Sequence, residues 1–158
     1  MKIEEYKEII KKTSVYPETV DNFALAYGYI GLLDELNELS KESQKDKAIK
    51  EIGDVFWYIT LISDIVELDI EDIFTNKAVN NISIGDIAGD IKKFYRDNKP
   101  IDKDKLIDVL KSLVDNIKFI YKLSYKEILD IENVLEINYN KLTKRLKDNT
   151  IQGDGSER

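Results

Sequence analysis

Four carboxylates in the first half of the chain have the spacing of a metal site. Glu35 and Glu38 are three residues apart, and so are Glu51 and Asp54. Residues three apart on a helix lie on one face, with Cβ atoms about 5–6 Å apart. The link SQKDK is short enough to hold two helices antiparallel and adjacent, so the two pairs can converge. Four carboxylates in one place repel each other unless a cation lies between them, and the spacing therefore predicts a divalent-cation site.

Oxygen ligands alone indicate Mg²⁺, with Mn²⁺ as the alternative. Such an ion keeps open positions for water and phosphate oxygens, which suits phosphoryl transfer or hydrolysis of phosphate esters. A solvated acidic face is the competing interpretation, because the chain has 31 acidic residues. The context favours a site: Ala24, Gly28 and Gly31 precede Glu35 on the same stripe and leave room for a ligand or another backbone.

Composition excludes several other chemistries. The 158 residues carry a net charge of −7, which disfavours binding to nucleic acid or a membrane surface. Histidine and cysteine are absent, so disulfides and His-based triads are excluded and zinc is disfavoured. The start MKIEEYKEII lacks the apolar core of a signal peptide, and no apolar run reaches membrane-spanning length. We expect a cytoplasmic protein.

The elements that must position these residues are helices. Two prolines, seven glycines and apolar residues three and four apart predict an all-α protein. Asp102 or Asp104 is expected to cap the fifth helix. The segment NKAVNNISIGD reads as the linker, and residues 149–158 read as a flexible or ligand-closing tail. Helices are predicted at about 3–12, 20–42, 45–68, 84–95, 104–123 and 125–147.

A weak repeat relates the two halves of the chain. LISDIVELDIEDIF at 61–74 aligns with NIKFIYKLSYKEIL at 116–129, at an offset of 55 residues. We therefore expect one domain over residues 1–158, a helical bundle on a four-helix core of two hairpins. In this interpretation one hairpin is active and the other structural. The alternative to a duplication is that two hairpins of similar length resemble each other by chance.

The motifs resemble a known family. Glu35-Leu-Asn-Glu38, a short spacer and Glu51-Ile-Gly-Asp54-Val-Phe-Trp57-Tyr58 are similar to the MazG-like nucleotide pyrophosphohydrolases. These belong to the all-α NTP pyrophosphatase superfamily, together with the dimeric dUTPases. The lead-in T…YP, an N-x-x-K-L-x-x-R pattern from Asn138 to Arg145 and a terminal G-x-G-x-x-R ending at Arg158 also resemble one branch of that family.

The resemblance implies hydrolysis of a nucleoside triphosphate between its α and β phosphates, which yields the monophosphate and pyrophosphate. The four carboxylates would hold Mg²⁺ and act as the catalytic residues. Asn138 would contact sugar or phosphate, Lys141 and Arg145 phosphate oxygens, and Arg158 would close over the ligand. For Trp57 and Tyr58, stacking on the base and packing in the core are both open.

Two departures from the family pattern bear on these expectations. Asp34 and Asn37 stand where many members carry a glycine and a second acid. Extra sequence at about 76–122 adds a hairpin that can replace what a second subunit supplies, although a homodimer or higher oligomer is expected. The alternative functions are a nucleotide-binding or regulatory module without turnover, and a purely structural bundle.

Overall fold

The computed structural model describes residues 3–14 and 23–151, and within these ranges it is all-helical, without strands. This confirms the predicted all-α class. The described residues also include a 3-10 turn at Ile84–Ile87. The helices are α1 (Ile3–Thr13), α2 (Phe23–Lys41), α3 (Lys45–Val66), α4 (Ile70–Thr75), α5 (Ala88–Asp97), α6 (Lys103–Tyr125) and α7 (Ile131–Lys147).

The link between α2 and α3 is as short as the sequence indicated. It consists of Glu42, Ser43 and Gln44. The Glu42 carboxylate accepts hydrogen bonds from the backbone N–H groups of Ser43 and Gln44, both at 2.8 Å. These bonds lower the Glu42 pKa, the one from Gln44 most strongly. The side chain thus orders the turn that brings the two motif helices side by side.

Later boundaries follow from capping residues. The Asp102 side chain accepts from the Lys105 N–H at 3.1 Å, so Asp102 rather than Asp104 starts α6. Lys126 has a φ of 59° and ends that helix. Asp130 then accepts from the Asn133 N–H at 3.1 Å and starts α7. The predicted start of the last helix near Tyr125 was therefore wrong, because a left-handed residue and a new cap separate the two helices.

The chain divides into two compact units, at residues 1–65 with 130–158 and at residues 66–129. The first unit contains α1, α2, α7 and nearly all of α3, and α1 packs on α7. Its core includes the fully buried side chains of Tyr6, Leu32, Phe56 and Ile59. It therefore joins the two motif helices to the two ends of the chain.

The second unit contains α4, α5 and α6, with Leu106, Val109 and Leu110 of α6 in its core. The segment predicted as a linker is anchored on α6. Asp108 and Asp115 accept from the backbone N–H groups of Val79 and Ala78, both at 3.2 Å. None of the helices described is long and apolar enough to cross a membrane.

Candidate functional site

Helices α2 and α3 bring three of the four predicted carboxylates together. Oxygen atoms of Glu35, Glu38 and Glu51 all lie within 4.8 Å of one another. Glu35 and Glu51 are partly buried, whereas Glu38 is exposed. The three-residue spacing places the two α2 carboxylates on one face, and the tight turn at Glu42 places Glu51 opposite them. We call these three residues the carboxylate trio.

The negative charges of the trio repel one another when all three carboxylates are ionised. Burial, followed by the charges of Asp54, Glu38 and Glu51, raises the pKa of Glu35 to about 8. Burial is also the main cause that raises the Glu51 pKa, followed by the charge of Asp54. The Lys141 charge acts against the rise at both carboxyl groups. A cation bound among the three would reverse this trend, because it favours the ionised form.

Asp54 is not part of the trio but forms an ion pair. The Lys141 ammonium donates to both Asp54 oxygens, at 2.6 Å to Oδ1. Both side chains are largely buried, with 17% of Lys141 and 19% of Asp54 exposed. This differs from the expectation that four carboxylates surround one ion, because α7 supplies a cation of the chain itself. A buried pair of this kind is strongly held, since separating it leaves an uncompensated charge.

A buried relay fixes the orientation of Asp54. Asn138 Nδ2 donates to Asp54 Oδ1 at 2.8 Å, and the Tyr6 hydroxyl donates to Asn138 Oδ1 at 2.8 Å. Asn138 is 2% exposed and Tyr6 is fully buried. Burial and the Asp54 charge raise the Tyr6 pKa, so the phenol remains a donor. Asn138, for which the resemblance implies contact with sugar or phosphate, connects the core to Asp54.

Sequence reasoning missed Tyr6. The residue lies in a charged, periodic helix and matches no motif, and its partner Asn138 is 132 residues away in the sequence. Helices α3 and α7 can approach closely at Gly53 because glycine has no Cβ there. A Cβ on Gly53 would lie 3.0 Å from the Asn138 Cβ. The motif glycine between Glu51 and Asp54 was the one available sign of such a close approach.

The small-residue stripe on α2 is filled by side chains of α3. A Cβ on Gly31 would lie 2.1 Å from Tyr58 Cε1, and one on Gly28 would lie 3.0 Å from Ile62 Cγ1. The room expected there for a ligand or another backbone is therefore taken by Tyr58 and Ile62. The Tyr58 pKa is raised by burial first, and in part by the charges of Glu35 and Asp54.

Trp57 packs in the core of the first unit. The residue is 7% exposed, and its indole N–H donates to Thr13 Oγ1 at 2.9 Å. Both options, core packing and base stacking, were open from the sequence, and the arrangement corresponds to core packing. Tyr58 is partly exposed, and its ring lies 6.1 Å from that of Tyr27.

An open groove of about 470 Å³ lies along α2. The Tyr58 ring packs against Gly31, one of the residues that line it. Asp34 and Asn37, which depart from the family pattern, contribute its polar groups. The groove is lined by Phe23, Tyr27, Ile30, Gly31, Leu33, Asp34 and Asn37.

The remaining predicted residues lie at the end of α7 or beyond it. Arg145 is partly buried and lies one turn after Lys141. The Thr150 N–H donates to the Arg145 carbonyl at 2.9 Å, so the start of the 149–158 tail is tied to the end of α7. Arg158 and the rest of the tail from residue 152 lie outside the described residues.

Comparison of the chain with protein-family models, with curated proteins and with solved structures gave no match. A function must therefore be argued from the side chains of the first unit and from the motif resemblance. The trio, the Asp54–Lys141 pair and the groove are the features that bear on it.

Proposed function

We propose that the protein is a Mg²⁺-dependent nucleoside triphosphate pyrophosphohydrolase of the MazG-like kind, with Mn²⁺ as an alternative ion. It would cleave a ribo- or deoxyribonucleoside triphosphate between the α and β phosphates. The observation that carries the proposal is the convergence of Glu35, Glu38 and Glu51 next to the Lys141 ammonium. Carboxylates for a metal and a cation for phosphate then occupy one site.

The trio fits the ligand chemistry of Mg²⁺. Octahedral coordination at about 2.1 Å places ligand oxygens about 3 to 4 Å apart, so oxygens within 4.8 Å need small side-chain rotations to meet one ion. Glu35, Glu38 and Glu51 would hold the ion, and Asp54 would join them once separated from Lys141. The ion would supply neutralisation of the triphosphate and a lower pKa for a bound water.

The chain's own groups would complete the reaction. One of these carboxylates would orient or deprotonate the attacking water, and a bound cation would keep it ionised for that role. Lys141 would contact phosphate oxygens as a point charge, while Arg145 and Arg158 would offer planar, bidentate donors. Asn138, being buried, would hold Asp54 rather than touch substrate.

The groove on α2 would accept the nucleoside. Its volume of about 470 Å³ lies within the range typical of small-molecule sites, about 300–1,000 Å³. Phe23 and Tyr27 offer aromatic surface, and Asp34 and Asn37 offer hydrogen-bonding groups for base or sugar. Tyr58, whose ring packs against Gly31 of the groove lining, would contact the sugar. Trp57 is not in the proposed ligand-contacting set.

Product analysis by chromatography tests this function. Purified protein is incubated with each common NTP and dNTP, with Mg²⁺ and with EDTA. We expect monophosphate and pyrophosphate, lost with EDTA and in Glu38→Gln, and retained in Asp46→Asn, which removes an exposed acid at the start of α3. Product that persists with EDTA, or in Glu38→Gln, would contradict the metal assignment.

A binding or regulatory module without turnover is the second candidate. It is favoured by the Asp54–Lys141 pair, because that pair withholds the fourth carboxylate from the trio. A ligand that binds only the folded state must raise its stability. Thermal shifts with Mg²⁺ and a nucleotide, in the absence of any hydrolysis product, would support the module over the enzyme.

The proposal includes a homodimer or higher homo-oligomer and a cytoplasmic location, where nucleoside triphosphates are made and used. Exposed apolar side chains on α6 and after it support self-association, since such patches often mark interaction surfaces. Light scattering of the purified chain tests this point. The four residues are Phe119, Ile120, Leu123 and Ile128, which are 61%, 60%, 54% and 83% exposed.

We also retain the two-hairpin core as part of the proposal. The pair α2–α3 would be the active hairpin, and α5–α6 its structural counterpart from an internal duplication. The support is the 55-residue offset in the sequence. The second hairpin keeps the helical pattern but loses most of the carboxylates. Asp90 matches Glu35, whereas Lys93, Leu106 and Val109 stand at the other three matching positions.

A further inference from the structure

The Lys141 ammonium is bound to Asp54, a carboxylate that a metal ion could also bind. Its Nζ donates to both Asp54 oxygens, and Asp54 is the motif carboxylate that lies outside the trio. The Lys141 charge also acts on Glu35 and Glu51, where it favours the ionised forms. Its field therefore extends over the same carboxylates that a divalent cation would bind.

The surrounding core holds this pair in one arrangement. The Asn138 Oδ1 atom accepts from the Tyr6 hydroxyl at 2.8 Å, and this bond turns the amide NH₂ group towards Asp54. Its Nδ2 donates to Asp54 Oδ1, the same oxygen that accepts from Lys141 at 2.6 Å. Two donors on one oxygen, one of them locked by a buried phenol, keep Asp54 turned towards α7.

We propose that Lys141 is an internal counter-cation that competes with the divalent metal for Asp54 and is drawn away when a triphosphate binds. This inference rests on the proposed function. Phosphate oxygens are acceptors for an ammonium group, so a bound triphosphate offers Lys141 a new anionic partner. Asp54 then loses its cation and is free to join the trio.

Competition of this kind couples the two ligands. If triphosphate removes Lys141 from Asp54, it raises metal affinity, and the metal must raise triphosphate affinity by the same factor. The empty protein would hold metal weakly, and the complete set of four carboxylates would assemble only with substrate present. Tyr6 and Asn138 act through Asp54 and are positioning residues in this scheme.

Calorimetric titration of the full chain with Mg²⁺ alone, without nucleotide, measures the competition directly. We expect Lys141→Met to bind Mg²⁺ about tenfold more tightly than the unaltered chain, because a positive charge next to the ligands is removed. Inorganic tripolyphosphate, titrated without metal, should bind more weakly to the same variant. The control is Lys144→Met, which removes an exposed charge from the same helix and should change neither titration.

A second variant tests the relay while leaving all charges in place. Tyr6→Phe removes one hydroxyl, so Asn138 loses the bond that orients it, and we expect Mg²⁺ affinity to rise by about threefold. Tyr139→Phe, on α7 next to Asn138, is the matched control and should not change it. Circular dichroism and thermal unfolding establish that each variant is folded before it is titrated.

The outcomes separate this inference from the function on which it rests. Unchanged or weaker Mg²⁺ binding in both Lys141→Met and Tyr6→Phe, with hydrolysis intact in the unaltered chain, would overturn the competition and leave the enzyme proposal standing. Binding of Mg²⁺ by none of the proteins, with no hydrolysis, would overturn both. Binding that appears in Lys141→Met and is absent from the unaltered chain would support competition in its strongest form.

Discussion

The carboxyl groups of Asp90, in the second unit, and Glu35, in the first, behave in opposite ways. In the second unit, Lys105 donates to Asp90 at 2.7 Å, and this hydrogen bond lowers the Asp90 pKa. In the first unit, burial and neighbouring carboxylates raise the Glu35 pKa to about 8. The second unit thus uses its acids as partners for lysines and backbone N–H groups, whereas the trio places acids against each other. An arrangement that costs stability without a cation is typical of a functional site.

Two largely buried lysines, Lys111 of α6 and Lys141 of α7, make the same contrast. Lys111 is 8% exposed and pairs with Asp72 at 2.8 Å, and its hydrogen bond is the main cause of the lowered Asp72 pKa. Lys141 of α7 also pairs with an aspartate, but three further carboxylates lie near it. In the Lys111–Asp72 pair the lysine balances the one carboxylate, whereas around Lys141 the negative charge exceeds what one lysine can balance.

The largest expected effect is on turnover, and it should be large for a variant in the first unit and small for one in the second. Glu51→Gln should reduce hydrolysis at least about a hundredfold, because it removes one of three converging ligands. Asp90→Asn also removes one carboxylate from a helix, but in the second unit, and should leave hydrolysis within about twofold. Steady-state rates with the best substrate measure both. Equal losses in the two variants would mean that the trio has no special role.

The next effect is on stability and concerns Gly31. Gly31→Ala places a methyl group 2.1 Å from the Tyr58 ring, so the ring must move from its position against Gly31. We expect a loss of about 1–3 kcal/mol in the free energy of unfolding, as for other overpacked sites. Denaturant unfolding measures it. Recovery in the double variant Gly31→Ala/Tyr58→Leu would assign the loss to this contact, and no recovery would assign it elsewhere.

The sequence predicted the trio because both of its determinants are local. Three-residue spacing puts Glu35 and Glu38 on one face, and the short link at Glu42 brings Glu51 opposite. It could not predict that Asp54 leaves the set. That outcome depends on α7, whose Lys141 is 87 residues from Asp54 in the sequence. Long-range pairing is decided by packing, which periodicity does not encode.

The all-α class and most helix bounds were likewise predictable, since they follow from apolar periodicity and capping residues. The division into units was not. Helix α7 follows α6 in the sequence, yet it belongs with α1, because Tyr6 and Asn138 share a buried hydrogen bond. The stripe of Gly28 and Gly31 was expected to leave room for a ligand or another backbone, but side chains of α3 take that room, because a glycine does not specify which group comes near.

A third prediction uses the opposite pKa shifts. The folded chain keeps a proton on Glu35 up to a pKa of about 8, whereas the unfolded chain loses it near 4.5. Between these values the unfolded state binds fewer protons, so the free energy of unfolding falls as pH rises. Denaturant unfolding across this range, without metal, should show the decline, and Glu35→Gln should flatten it.

The second unit provides the control for that pH dependence. The Asp90 pKa is lowered from 3.8, so its contribution to stability is present above that value and is lost only as pH falls further. Asp90→Asn should therefore leave the slope between about 4.5 and about 8 unchanged. Saturating Mg²⁺ should remove the slope from the unaltered chain. A slope that persists in Glu35→Gln would place the titrating group outside the trio.

The smallest effect separates the two kinds of helical glycine. Gly89 lies in the first turn of α5, and a Cβ there would meet nothing within 4 Å. Gly89→Ala should therefore raise the free energy of unfolding by about 0.4–1 kcal/mol, through a less flexible unfolded chain. It should leave hydrolysis and Mg²⁺ affinity as they are. If Gly89→Ala destabilises the protein instead, this surface is covered in solution, since an added methyl group meets nothing within 4 Å in the structure. The oligomeric state would then be the property to measure.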